Sequence, residues 1–217
     1  MSSKFVIFDL DDTLYKEISY LKSAFYSIAY SLFSIKDAPH VYNQMLSWYF
    51  NKENVFANLI ENYSLSTEVT KLIESYRNHY PNIQLDKETS HLLSELKSNK
   101  VKTGLITDGF SVTQRNKLKA LGLDSYFDSI VISEEFGTSK PHINNFAHFL
   151  QFGATDYFYI ADNIKKDFIT PNELGWCSIC LQDNGENIHK QDFDIETKYL
   201  PKYVLTSMND LLPLIFD

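Results

Sequence analysis

The stretch Lys4-Phe5-Val6-Ile7-Phe8-Asp9-Leu10-Asp11-Asp12-Thr13-Leu14 decides how this chain is read. Phe5 to Phe8 is a short unbroken apolar run, the pattern of a strand buried on both faces of a parallel sheet. It stops at an acid, and two more acids follow within three residues. Parallel strands need long crossover connections, usually helices. The rest of the chain should therefore alternate between helical patterns and further apolar runs.

It does so, after an interruption. Ile18, Leu21, Phe25, Ile28 and Leu32 recur at helical spacing until Asp37-Ala38-Pro39 breaks the pattern. Three more amphipathic stretches follow, from near Pro39 to Phe50, around Val55, Phe56, Leu59, Ile60 and Tyr63, and around Val69, Leu72, Ile73 and Tyr76. Past Pro81 the alternation begins. Leu92, Leu93 and Leu96 read as helix, Thr103 to Thr107 as strand, and Ser111 with Gln114 as a capping box opening a helix that stops near Gly122. Ser129 to Ile132, Tyr157 to Ile160 and Cys177 to Cys180 read as strands, separated by helices over Ile143 to Phe152 and Asp167 to Leu174. A short strand at Tyr203 to Leu205 leads through Ser207, a helix N-cap, into an apolar terminal helix, while Gln182 to Pro201 is polar enough to include a mobile loop. The fold class expected is α/β, a doubly wound parallel sheet of Rossmann-like type carrying a helical bundle inserted after its first strand. The core takes residues 1–15 and 84–217 and the insertion residues 16–83.

A net charge of -8 argues against a grip on a nucleic acid polymer or an anionic membrane, both of which need a surplus of Lys and Arg on one face. The apolar run Phe5 to Phe8 is too short for a signal-peptide core or a membrane span, so the expected location is the cytoplasm. Cys177 and Cys180 have the spacing of a redox or zinc motif, yet they sit in an apolar strand pattern whose odd spacing sends them to opposite faces, and no second ligand pair accompanies them. His142 and His148 fall about 240° apart on a helix, so they do not chelate together.

In an open α/β sheet, ligands bind beyond the carboxyl ends of the strands. Four such ends carry polar groups: Asp9, Asp11 and Asp12 after the first, Thr107-Asp108-Gly109 after the second, Lys140-Pro141 following the third, and Asp162-Asn163 with Asp167 after the fourth. Each alone reads equally well as a cap or turn. Together, in this order, they resemble the motifs of the haloacid dehalogenase-like hydrolases, and Gln114, Lys117-Leu118, Leu121-Gly-Leu123, Tyr126-Phe-Asp128 and Ser133 to Gly137 resemble the linking stretches of the subgroup with a helical cap after the first motif. The departures are Ala161, where Gly is usual before Asp162, and Asp108, where Asn is common.

The resemblance implies a magnesium-dependent phosphatase. Asp9 would be the nucleophile that takes up the phosphoryl group, and Asp11 the acid and base, its proton retained because neighbouring carboxylates raise its pKa. Mg²⁺ would be held by the side chains of Asp9 and Asp162 and the backbone carbonyl of Asp11. Lys140 would neutralise nucleophile and phosphate, Thr107 would donate to a phosphoryl oxygen, and the amides of Asp108 and Gly109 would cradle it. Asp167 would orient metal-bound waters or Lys140. The expected substrate is a small phosphorylated metabolite, a sugar phosphate or nucleotide. A phosphomutase of the same family is the nearest alternative, and a receiver-like phospho-accepting signalling protein the alternative from another class. Dehalogenation is disfavoured, because a halide leaving group needs no proton from Asp11.

Overall fold

The computed structural model describes residues 3–216. Its centre is a six-stranded sheet, all parallel, in the order β3-β2-β1-β4-β5-β6, with β1 Lys4–Phe8, β2 Lys102–Thr107, β3 Ser129–Ile132, β4 Asp156–Ala161, β5 Cys177–Leu181 and β6 Tyr203–Leu205. The chain starts mid-sheet, builds outward through β2 and β3, then crosses to the other side of β1 for β4 to β6. The order reverses at β1 and β4, and a crevice opens beyond the carboxyl ends of strands at such a point.

The opening stretch behaves as its pattern requires. Phe5 and Ile7 face a layer with Ile106, Phe146, Phe149, Phe168 and Trp176, while Val6 and Phe8 face one with Leu92, Leu96, Leu105, Leu118 and Leu211. All four are fully buried, and each adds roughly 1.5–3 kcal/mol relative to exposure. Gly104 in β2 admits this packing, since a Cβ there would lie 2.3 Å from the Phe149 ring. Cys177 packs against the second of these layers and Cys180 lies in the first, on opposite faces as the spacing requires.

Between β1 and β2 the chain forms α1 Glu17–Leu32, α2 Ala38–Phe50, α3 Val55–Tyr63 and α4 Val69–Asn78. These helices bury their own cluster, including Leu21, Phe25, Ile28, Val41, Met45, Leu59 and Leu72. Returning through extended chain, the polypeptide enters α5 Lys87–Ser98 and, after β2, α6 Ser111–Ala120. The insertion is tied to α6: Thr113 Oγ1 donates to the Arg77 carbonyl at 2.9 Å, Asn116 Nδ2 donates to the Asn78 carbonyl at 3.1 Å, and the Arg77 guanidinium lies 3.8 Å over the Phe110 ring. Among the described residues no helix is long and apolar enough to cross a membrane.

Several local expectations change. Ser111 is not a cap: Phe110 precedes the helix, the Ser111 amide donates to Glu134, and Gln114 turns inward, where its amide group donates to Asp11 and Thr107. A short α7, Ser133–Phe136, follows β3, and the helix expected over Ile143 to Phe152 divides into α8 Ile143–Ala147 and a 3₁₀ turn His148–Phe152 that stops at left-handed Gly153. His142 caps α8 through Nδ1, and His148 meets Ser129 instead. The following helix, α9, is only Ile169–Glu173, with Asp167 drawn into the interior before it. Residues 182–191 are held rather than loose, because Asp183 accepts from three successive amides and Gln191 bonds the Asp162 and Leu181 carbonyls. Ser207 does cap, accepting from Asn209 ahead of the terminal α10 Leu211–Phe216.

Candidate active site

Asp9 follows β1 and is fixed by its amide, which donates to the Ile160 carbonyl of β4 at 2.9 Å. Its carboxylate accepts from Lys140 Nζ at 2.6 Å, and the same ammonium lies 2.7 Å from Asp167 Oδ1. The Tyr159 hydroxyl donates to Asp167 Oδ1 at 3.1 Å, and the Asn163 amide to Asp167 Oδ2 at 3.1 Å. Asp167 thus has both oxygens engaged and clamps Lys140 against Asp9. The Lys140 side chain is 1% exposed, and Asp9 and Asp167 outweigh the burial that would lower its pKa, holding it charged.

Asp9, Asp162 and Asp167 bring carboxylate oxygens within 4.8 Å of one another, all buried. Burial pushes Asp9 up to about 7 against the pull of Lys140, and pushes Asp162 up to about 9 with help from the Asp9 and Asp167 charges. One lysine does not compensate three carboxylates. The donors are all hard oxygens, without nitrogen or sulfur, which suits a divalent cation of the magnesium type rather than zinc or copper.

Asp11 overturns its expected electrostatics. Burial works to raise its pKa, but the Lys117 charge, with hydrogen bonds from Lys117, Tyr15 and Gln114, outweighs it and holds the carboxyl below its usual range. The contacts are short: Lys117 Nζ to Oδ1 at 2.7 Å, the Tyr15 hydroxyl to Oδ1 at 2.6 Å, and Gln114 Nε2 to Oδ2 at 2.9 Å. The neighbouring carboxyls are raised instead: burial and the Asp11 charge push Glu17 up to about 8, and burial raises Asp12.

Gln114 spends its second amide proton on Thr107 Oγ1. Thr107 is thereby used as an acceptor and keeps its own hydroxyl proton to give. Asp108, at the position of departure, accepts from the Lys140 amide at 3.0 Å and from Lys166 Nζ at 2.8 Å, so its additional charge is paired. The Gly109 amide does not face the pocket: it donates to Ser133 Oγ at 2.9 Å, which corrects the expected cradle. At the mouth, Asn187 donates to Asp162 Oδ2 at 3.1 Å and accepts from Lys16 at 2.6 Å, and the Ile188 amide donates to Asp12 at 2.8 Å. The pocket over these groups has a volume of about 150 Å³, its lining dominated by Asp9, Asp11, Asp12, Glu17, Asp108 and Asp162, with Thr107, Asn163, Lys166 and His189.

Residues 6–179 match the family described as haloacid dehalogenase-like hydrolase. The chain is a haloacid dehalogenase-like hydrolase. Among the curated relatives of this hydrolase, the pyrimidine 5′-nucleotidase YjjG of Escherichia coli (strain K12) is 32% identical, with 99% of both chains covered. The glyceraldehyde 3-phosphate phosphatase of Methanocaldococcus jannaschii is 26% identical over 98% of this chain and 96% of that one. Among solved structures, the putative HAD-hydrolase YfnB from Bacillus subtilis, bound to magnesium, has the same fold, with TM-score 0.69 at 16% identity and both chains fully covered.

Sequence reading missed Lys117 and Gln114 as partners of Asp11, although a signal existed: both fall on the face of α6 that carries Leu118, where an unpaired lysine is costly. Glu17, Asn187 and His189 carried none, since acids in a first helical turn and polar loop residues are ordinary.

Proposed function

We propose that this hydrolase is a magnesium-dependent phosphomonoesterase acting on a small phosphorylated metabolite, a sugar phosphate or nucleotide, through an aspartyl-phosphate on Asp9. The observation that carries the reading is the buried Asp167–Lys140–Asp9 chain, with Lys140 Nζ 2.7 and 2.6 Å from the two carboxylates, beside Asp162. The small phosphorylated substrates in the names of the two curated relatives support it.

Asp9 attacks phosphorus, the bond from phosphorus to the leaving oxygen breaks, and that oxygen receives a proton from Asp11, which takes the proton up from solvent when it turns from the Lys117 ammonium to the substrate. Water then attacks phosphorus, Asp11 takes its proton, and Asp9 departs with its own oxygens. Asp11 works between two settings: bonded to Lys117, Tyr15 and Gln114 as described, and turned to the leaving oxygen when substrate is present. Lys140 keeps Asp9 aligned and offsets charge on the phosphoryl oxygens, Thr107 donates its free proton to one of them, and the Asp108 amide supplies a second donor. Asp167 holds Lys140 in place.

The carboxylates of Asp9 and Asp162, with the Asp11 backbone carbonyl, would hold Mg²⁺. When bound it supplies the positive charge a phosphate dianion needs beside so many acids. The helical insertion, residues 16–83, acts as a cap that excludes water during transfer. The test is phosphate release from a panel of phosphorylated metabolites. Activity should vanish in EDTA and return with Mg²⁺ but only weakly with Ca²⁺, whose looser coordination misplaces the phosphate; full activity in chelator would refute the metal role.

A further inference from the structure

The acidic pocket has room for the phosphoryl end of a substrate but not for a leaving group of nucleoside or hexose size. About 150 Å³ equals roughly five waters at ~30 Å³ each, enough for a phosphoryl group and little more. A second cavity of about 570 Å³ adjoins it, between the insertion and the loop after β5. The two share walls made of consecutive residues: Glu17 and His189 line the catalytic side, while Ile18 and Ile188 line the larger one. Two residues of the larger cavity bond acids of the smaller one directly, Asn187 donating to Asp162 at 3.1 Å and the Ile188 amide to Asp12 at 2.8 Å. A leaving group displaced from Asp9 has this cavity next to it.

Its chemistry is selective. Tyr49 and Phe50 close α2 with rings 71° apart and centroids 5.5 Å from each other, making a right-angled corner. Tyr49 is braced by Phe25 at 6.2 Å, whereas Phe50 is 61% exposed. An aromatic face left open in a cavity wall gains most from a flat partner that removes it from water. The cavity's formal charge is balanced, since the lining holds two lysines, Lys22 and Lys52, and two glutamates, Glu53 and Glu186. A second phosphate therefore finds no cationic pocket there, and a triose leaves most of the volume and the Phe50 face unused.

We infer that this cavity takes a nucleoside, its base stacked on Phe50, so that the substrate is a nucleoside 5′-monophosphate rather than a triose phosphate or a pyrophosphate. This rests on the phosphomonoesterase reading and narrows it.

The experiment compares kcat/KM for uridine and adenosine 5′-monophosphates, glyceraldehyde 3-phosphate, inorganic pyrophosphate and acetyl phosphate, in wild type, Phe50→Tyr, Phe50→Leu and Phe50→Ala. A nucleotide should be the best metabolite. Its kcat/KM relative to acetyl phosphate should fall on the order of tenfold or more in Phe50→Leu and Phe50→Ala and be retained in Phe50→Tyr, because stacking needs the ring and not the bulk. A preference for the triose phosphate or pyrophosphate, or a ratio unchanged in Phe50→Ala, overturns the inference. Calorimetric titration with the free nucleosides separates the two readings: nucleoside binding lost in Phe50→Ala upholds the cavity even if no phosphate is released, and failure of both nucleosides to bind wild type rejects it even if phosphate is released from other esters.

Discussion

Lys140→Met is the substitution whose cost the structure defines best. Methionine keeps most of the side-chain volume and removes only the charge, so what changes is the ammonium 2.6 Å from Asp9 and 2.7 Å from Asp167. At an effective dielectric of 20, one such pair is worth about 6 kcal/mol, but removing the lysine also recovers its own desolvation. Breaking buried pairs accordingly costs about 3–5 kcal/mol. The cost should depend on pH. Asp9 already sits near 7, so at pH 6 it is largely protonated and loses little, whereas at pH 9 it is ionised and would be stranded. Urea unfolding in EDTA, followed by far-UV circular dichroism, should therefore give a loss of about 3–5 kcal/mol at pH 9 and a clearly smaller one at pH 6. A loss under about 1 kcal/mol at both values, or a larger loss at pH 6, would refute the clamp.

Lys117→Met should spare substrates with good leaving groups and slow alkyl phosphates on the order of tenfold or more, because it displaces Asp11, whose proton only poor leaving groups need; equal effects on aryl and alkyl esters would reduce Lys117 to a structural lysine. In EDTA, wild-type stability should fall as pH rises from about 4 to 9. Asp9 and Asp162 have folded pKa values raised to about 7 and about 9, so their contribution is full below the unfolded value and lost as pH passes through the folded ones; a flat or rising unfolding curve across that window contradicts the buried cluster. Cys180, buried and pushed up to about 12, should resist iodoacetamide at pH 8 in the folded protein and react once unfolded, read by mass spectrometry.

The core was legible because its signals are local. Phe5 to Phe8 had to be a doubly buried strand, and three parallel strands ending in polar residues had to bring Asp9, Thr107 and Asp162 to one edge. Lys140 and Asp167 were legible only through motif order, since their meeting spans 27 residues of sequence and depends on how β4 is placed. The environment of Asp11 was not legible: its partners Gln114 and Lys117 lie more than a hundred residues away, and a spacing argument sees carboxylates nearby but not the ammonium that outweighs them. The same holds for residues 182–191, whose composition reads as loose although Asp183 and Gln191 pin them through contacts no periodicity encodes.

The role of Asp9 as nucleophile is the central claim, and one turnover in ¹⁸O-water tests it most directly. Because water attacks phosphorus, released phosphate should carry the label and the peptide containing Asp9 should carry none, while Asp9→Asn should form no acid-stable, base-labile phosphoenzyme and lose turnover by several orders of magnitude. Label in the Asp9 peptide, or near-normal turnover by Asp9→Asn, would contradict the account.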